Sequence, residues 1–158
     1  MAHTIFIAGS GGIGRAVAML LRYVWSEEVN IMLGDLHKDI AQEACNEVDS
    51  VADGVGTLEA IAMNSDTWPE QIQHADILLD CLPGKLAPKM ARIAIANMMH
   101  YVNLTEYVAE TKEILALAKD APVGLALQSG LAPGFINVLG HGLLQDFCHK
   151  FNVSQVDS

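Results

Sequence analysis

The sequence predicts an α/β fold, a parallel sheet covered by helices on both faces. Three observations lead there. Short apolar runs alternate with amphipathic stretches from one end of the chain to the other. The runs are nearly continuous in apolar residues, as strands buried on both faces are. The chain has 158 residues, close to one ordinary domain of about 150.

The first run, Thr4-Ile5-Phe6-Ile7-Ala8, is β-branched and aromatic and stops at glycine, so it reads as a buried strand. Glycines follow at 9, 11, 12 and 14. Residues 15–25 read as a helix, with Val17, Leu20, Leu21 and Val24 at helical spacing. Residues 29–33 form a second strand, closed by Gly34-Asp35. Residues 40–48 are helical, with Ala41, Ala44, Cys45 and Val48 on one face. A third strand spans 57–63, followed by polar Asn64-Ser65-Asp66 and a short helix over 68–74. Residues 77–81 are the next strand, stopped by Pro83-Gly84. An alanine-rich helix covers 86–98, a strand 101–104, a helix 109–119 and a strand 123–127. The last helix, 134–148, is weakened by Gly140 and Gly142. Residues 152–158 read as the start of one more strand. No repeat, low-complexity tract or linker interrupts the series.

Composition excludes several classes. The chain is 51% hydrophobic and 18% charged, against about 45–50% apolar and about 25% charged in ordinary domains, so disorder is not its description. Nine basic side chains against 19 acidic ones leave a net charge of −10. A nucleic-acid face wants a basic stripe, and none is present. Lys85, Lys89 and Arg92 share one helical face, which reads as a solvated face. Three cysteines without C-x-x-C spacing, Cys45, Cys81 and Cys148, fit free thiols in a reducing compartment. The histidines show no metal-ligand spacing, so no metal is expected. The start lacks the pattern of a signal peptide. The greasiest region, 114–144, is too interrupted for a membrane span. A cytoplasmic protein without nucleic-acid or membrane partners is expected.

The strongest chemical signal is Gly9-Ser10-Gly11-Gly12-Ile13-Gly14, of the form G-x-G-x-x-G, between a strand and a helix. Gly9 permits the tight turn, Gly11 lets backbone approach a pyrophosphate, and Gly14 lets helix and strand close up. The helix start offers free N–H groups to the phosphates. An acidic residue is expected about 20 positions on. Asp35 stands there, 35 − 14 = 21. Its carboxylate would accept ribose hydroxyls and repel a 2′-phosphate, which favours NAD. His37 and Lys38 follow closely and keep NADP as the alternative. The competing reading is a tight βα corner with Asp35 as a loop acid.

Ligands of open parallel sheets lie at the carboxyl edge of the strands. By that rule Leu36 joins Asp35, and Asn64 and Asp66 lie near adenine. Cys81, Leu82 and Pro83 lie near the middle of the cofactor, and Thr105 and Glu106 near the nicotinamide. Asp66 also suits a helix N-cap. Cys81 also suits a small buried hydrophobe. The catalytic group is left open, with Cys81 and Glu106 as candidates. The whole is a Rossmann-type doubly wound sheet.

Three later segments narrow the class: Asp80-Cys81-Leu82-Pro83, His100-Tyr101-Val102-Asn103-Leu104-Thr105-Glu106, and Ser129-Gly130-Leu131-Ala132-Pro133-Gly134-Phe135-Ile136-Asn137. In this order they resemble the saccharopine dehydrogenase-like family, which includes lysine 6-dehydrogenases. The resemblance implies an NAD(P)-dependent oxidoreductase acting on an amino acid or amine. Hydride would pass between the nicotinamide and the amine-bearing carbon, through an imine. Two departures stand out. The family usually has Asp where this chain has Asn103. Saccharopine-forming members often have Asp where it has Ala132, which tilts away from saccharopine itself.

The resemblance also implies two parts. Residues 1–132 would bind the dinucleotide, and 133–158 would lead into a substrate and dimerisation domain, beginning near Val153. Phe135, Ile136, Leu139, Leu143, Leu144 and Phe147 form a wide apolar stripe on the last helix. Either that further domain covers it or it packs on its own sheet. The alternative function is a non-catalytic NAD(H)-binding sensor. A short-chain dehydrogenase is disfavoured, because Tyr107 and Lys112 are five apart, 112 − 107 = 5, where that class needs four. A P-loop fails for want of Gly-Lys-Ser/Thr.

Overall fold

The computed structural model describes residues 3–24, 29–52, 54–64, 66 and 68–153. Six strands form one sheet in the order β3-β2-β1-β4-β5-β6. They are β1 (His3–Ala8), β2 (Val29–Asp35), β3 (Leu58–Ala62), β4 (Ile77–Asp80), β5 (His100–Asn103) and β6 (Leu125–Ala126). Every neighbouring pair is parallel. The helices are α1 (Gly12–Val24), α2 (Lys38–Val51), α3 (Trp68–Gln71), α4 (Ala87–Ala96), α5 (Val108–Ala118) and α6 (Ile136–Phe151). This is the doubly wound arrangement that the alternating pattern predicts.

Strand parity divides the core, because successive side chains point to opposite faces. Ile5 and Ile7 of β1, with Ile31 and Leu33 of β2, pack under Ala18 of α1 and Ala41, Ala44, Cys45 and Val48 of α2. Phe6 and Ala8 face the other way, with Leu78 and Tyr101. They meet Trp68, Met90 and Ala94 of α3 and α4, and Ile114 of α5. The rings of Phe6 and Trp68 lie 5.6 Å apart. Residues so fully buried each contribute about 1.5–3 kcal/mol when of Leu or Phe size.

The elements depart from the sequence expectation in instructive ways. Helix α1 starts at Gly12, three residues early, because the loop glycines form its first turn. Its expected end at Trp25 lies outside the described residues. Helix α4 is preceded by a 3-10 turn, Gly84–Leu86, and stops where Met98 turns left-handed at φ 59°. Strand β6 is shorter than expected. Pro122 offers no N–H, the Gly124 N–H goes to His100 Nδ1 at 2.9 Å, and Gln128 turns left-handed at φ 57°.

The largest departure is α6. A π-type turn, Leu131–Phe135, leads into it, with Ala132 extended inside the turn. The helix runs to a left-handed Asn152 that caps it. None of its residues is buried. Ile136, Val138, Leu143, Phe147 and Phe151 are all exposed. Among the described residues nothing buries its apolar stripe, so the expected packing on its own sheet is not seen there. The expected strand start over 152–158 lies almost wholly outside the described residues.

One polar cluster sits in the core at the carboxyl edge. Asp80 is 3% exposed. Its Oδ2 accepts the Tyr101 hydroxyl at 2.7 Å, and its Oδ1 accepts the Leu82 N–H at 3.0 Å. The Tyr101 oxygen also lies 3.2 Å from the Ala87 carbonyl. Burial pushes the Asp80 carboxyl above its usual range, outweighing the Tyr101 and Leu82 hydrogen bonds that favour its charge. Its protonated form is therefore favoured by folding, a contribution complete below the unfolded pKa of about 4 and lost as pH rises through the folded value. Asp80→Asn keeps the shape and removes the charge. We expect it to raise the melting temperature near pH 7 by about 2–4 °C, roughly 1 kcal/mol in a chain this size, with the gain shrinking as pH falls through the raised folded pKa and gone by about pH 4. Thermal melts of both chains across that range check this, and a lower melting point for the variant at pH 7 contradicts it.

Candidate functional site

The site lies where β1, β2 and β4 end side by side. Gly9 follows β1 with φ 102°, a conformation that favours glycine. Its N–H donates to the Gly34 carbonyl at 2.9 Å, which ties the loop to the end of β2. A Cβ on Gly9 would stand 3.1 Å from the Cys81 carbonyl oxygen and 3.2 Å from Leu82 Cδ2. A Cβ on Gly14 would fall 1.9 Å from the Gly9 carbonyl oxygen. By contrast, nothing lies within 4 Å of a Cβ on Gly11 or Gly12. The turn is thus crowded beneath and open above.

Helix α1 begins on the open side. Arg15 N–H bonds the Gly11 carbonyl at 3.0 Å, the first bond of the helical pattern. The amides of Gly12, Ile13 and Gly14 then have no carbonyl one turn back to accept them. They sit at the positive end of the helix dipole. Ile13 is exposed beside them.

Ser10 is fully buried, although it occupies a free position of the motif. Its hydroxyl donates to Asp35 Oδ2 at 2.7 Å, and its N–H approaches the same oxygen at 3.4 Å. This bond clamps the glycine loop to the end of β2. Burial alone would push the Asp35 carboxyl up, but the Ser10 hydroxyl and the N–H groups of Ser10, His37 and Leu36 together hold it below its usual value. Asp35 is therefore an anion at neutral pH. Arg15 is also held, donating to the Ser10 carbonyl at 2.9 Å and pairing with Glu47 at 2.5 Å.

Beside the loop opens a cleft of about 360 Å³. Leu36, Met63, Leu82, Leu86 and Met90 give it apolar walls, and Asp35 and Lys89 supply its charge. A second cleft of about 420 Å³ lies at the end of β5, between Leu104, Thr105, Glu106 and Tyr107 and the turn residues Leu131 and Ala132. Gly84 joins the two regions, since a Cβ there would meet Tyr107 Cδ2 at 2.1 Å and Thr105 Oγ1 at 2.3 Å.

The structure thus gathers the glycine loop, Asp35, Leu36, Cys81 and Leu82 at one place, with Thr105 and Glu106 at the adjoining cleft. Pro83 is exposed between them. Asn64 and Asp66 are exposed and do not line the first cleft, where Met63 stands instead. Asp66 lies two positions before α3, and Ser65 and Thr67 on either side of it lie outside the described residues. Burial and the neighbouring Asp80 push the Cys81 thiol up to about 12, which suits a small apolar side chain rather than a nucleophile. The sequence reading missed Leu86, Met90 and Lys89. Their only signal was position, at the start of the helix that follows β4. Among the described residues no three His, Cys, Asp or Glu gather to hold a metal, and no helix is long and apolar enough to cross a membrane.

Comparison with known proteins decides the family. The sequence profile of the saccharopine dehydrogenase NADP binding domain matches residues 5–127. The chain belongs to that family. It is therefore a dinucleotide-binding domain of the saccharopine dehydrogenase type. It is 22% identical over 115 residues to alpha-aminoadipic semialdehyde synthase of Arabidopsis thaliana, covering 71% of this chain and 11% of that protein. In fold it is similar to apo saccharopine dehydrogenase (L-Glu forming) of Saccharomyces cerevisiae, with a TM-score of 0.71 at 17% identity over 94% of this chain and 32% of that one. It is also similar to myo-inositol dehydrogenase of Lactobacillus casei in complex with NAD(H) and myo-inositol, with a TM-score of 0.62 at 19% identity over 80% of this chain and 36% of that one. The chain spans a third or less of the first two relatives.

The two ends of the glycine loop make opposite predictions for stability. Gly14→Ala forces a methyl into backbone, and we expect a loss of about 3 kcal/mol or more. Gly11→Ala meets open space and is expected to stay within about 0.5 kcal/mol of the parent. Urea unfolding of the two variants checks the contrast. Equal losses would contradict the crowding described for Gly14.

Proposed function

We propose that this domain holds NAD(P)(H) for a hydride transfer to or from an amino acid or amine. The observation that carries the reading is the open space over Gly11 and Gly12 at the start of α1, beneath which Gly9 and Gly14 leave no slack. A pyrophosphate fits there, against the free amides of Gly12, Ile13 and Gly14. Ser10 keeps that surface in place through Asp35. Asp35, an anion at the end of β2, would accept a ribose hydroxyl beside the donors from Ser10, His37 and Leu36 that it already holds, and Leu36 lies beside it. The apolar cleft between Leu36, Leu82 and Leu86 suits adenine. Asn64 and Asp66 would border its outer edge. Cys81, Leu82 and Pro83 pass under the middle of the dinucleotide, and Thr105 flanks its nicotinamide end.

The nicotinamide, when bound, supplies the carbon that gives or takes hydride. The chain's own part is to bind, orient and exclude water. Glu106 stands exposed at the second cleft, where a carboxylate suits an amine. Cys81 serves as packing. The names of the relatives, a semialdehyde synthase and a saccharopine dehydrogenase, favour the enzyme over a sensor and support an amino acid as substrate.

We further propose that residues 1–132 form the dinucleotide-binding unit and that 133–158 lead towards a substrate and dimerisation domain. The support is α6, whose apolar side chains find no cover within the unit. The three cysteines, all free, support a cytoplasmic setting.

Calorimetric titration of the chain with NAD, NADH, NADP and NADPH tests the reading. We expect binding of at least one reduced dinucleotide, weakened about tenfold, or roughly 1.4 kcal/mol, in Gly11→Ala without loss of stability. A folded chain that binds none of the four would sink the proposal.

A further inference from the structure

Ser10 is a polar side chain sealed inside the glycine loop, with no surface left for a ligand. Its hydrogen-bonding groups are all spent within the chain. The hydroxyl donates to Asp35 Oδ2 at 2.7 Å, the N–H approaches the same oxygen at 3.4 Å, and the carbonyl accepts Arg15 Nε–H at 2.9 Å. A serine hydroxyl has one hydrogen to give. Given to a carboxylate at this distance, it makes a bond about twice as strong as one between neutral groups.

The loop does not need that bond to stay on the sheet. Gly9 N–H already donates to the Gly34 carbonyl at 2.9 Å, and Gly14 already rests on the Gly9 carbonyl. What the hydroxyl adds is aimed at the carboxylate. The other donors on Asp35, the amides of Leu36 and His37, come from its own turn. A carboxylate held only from its own turn still swings with that turn. Ser10 reaches it from a different segment, the one that continues into the first amides of α1.

We infer that Ser10, which no ligand reaches, is the positioning residue of the ribose acceptor: its buried hydroxyl aims the Asp35 carboxylate and fixes it against the loop that carries the pyrophosphate amides. The inference rests on the dinucleotide reading above and deepens it. Burial raises the Asp35 carboxyl, and the Ser10 hydroxyl is the donor that opposes this most. The other charges around this edge are independent of the hydroxyl. Lys89 of α4 lines the cleft, Arg15 of α1 pairs with Glu47 of α2, and His37 and Lys38 open α2. A changed titration of Asp35 in a Ser10 variant therefore reports the hydroxyl itself.

The test is a double-mutant cycle on the parent, Ser10→Ala, Asp35→Ala and the pair. Each is titrated calorimetrically at pH 7 with NADH and NADPH, and the tighter ligand is followed. Ser10→Ala should weaken it about tenfold, as loss of one charge-assisted hydrogen bond does. In the Asp35→Ala background, where no carboxylate remains to be aimed, the same change should cost less than about twofold. Carbon-13 NMR of the Asp35 carboxyl in the free chains gives a second readout. Asp35 should titrate at a higher pH in Ser10→Ala than in the parent, because burial still raises it and its strongest opposing donor is gone. Should Ser10→Ala melt early, Ser10→Cys fills the same space with a weak donor and is held to the same outcomes. Unchanged affinity in a folded Ser10 variant, equal losses in both backgrounds, or an Asp35 titration that does not rise would each overturn the role of Ser10 while leaving dinucleotide binding intact. Failure of a folded parent to bind either dinucleotide would overturn the dinucleotide reading and this inference with it.

Discussion

A hydrogen atom is all that fits on the Gly14 Cα. Its missing side chain lets the first turn of α1 rest on the Gly9 carbonyl, at a separation no Cβ would tolerate. That contact sets the depth of the helix over the sheet, because β1 and α1 are joined by so few residues. Once α1 is down, its first amides lie level with the carboxyl edge of the strands. Ala18 reaches the layer formed by Ile5, Ile7 and Ile31. Gly9 has the same effect sideways. Its lack of a side chain lets the chain leaving β4 pass close by at Cys81 and Leu82. Fold and binding surface therefore depend on the same absent atoms.

Two carboxyls at this edge meet opposite environments. Asp35 sits at the rim, where donors from Ser10 and the following turn favour its charge. Asp80 sits in the core, where burial outweighs the donors it has. The first is placed to meet a ligand. The second fixes the loop that carries Leu82 by holding its N–H, and it joins that loop to β5 through Tyr101. Asn103 lies beside Asp80 in the sheet register, and its side chain also meets the Tyr101 hydroxyl. Its Oδ1 accepts the Gln128 N–H at 2.9 Å. An Asp at this position would set a second carboxylate beside Asp80, in a place where one is already expensive.

Sequence patterns revealed the layers well because one physical rule, burial on both faces, writes itself into every strand. β1 and β2 were legible almost to the residue, since Ile5, Ile7, Ile31 and Leu33 must all be apolar. Strand β6 was less legible, because its length depends on where His100 and Asn103 hold the neighbouring backbone. The site was legible where chain continuity fixes it, at the glycine loop and Asp35. It was obscure where distant segments meet. Ser10 filled a variable position of the motif, and only the folded chain shows its hydroxyl on Asp35. Lys89 read as solvated, and it is exposed; helical periodicity says nothing of the cleft that it also lines. The apolar stripe of α6 was plain in sequence, but periodicity cannot say which surface a stripe will meet.

The charge of the chain sharpens what its site must do. A net charge of −10 repels a phosphate-bearing ligand at long range. At physiological ionic strength that repulsion decays over about 8 Å, so only nearby groups decide binding. Near the glycine loop those groups are mostly uncharged N–H dipoles, fixed by the backbone and already oriented. Arg15, the nearest formal cation in sequence, is turned away towards Glu47. Dipoles held this way lose little entropy on binding, whereas a flexible cation must be ordered first. They also leave the choice between ligands of similar shape undecided, because any pyrophosphate satisfies them. The cleft beyond adds the charges of Asp35 and Lys89 to those dipoles. Two parts of one edge thus differ in kind: oriented backbone at the end of β1, and side chains of β2 and α4 that line the cleft beside it.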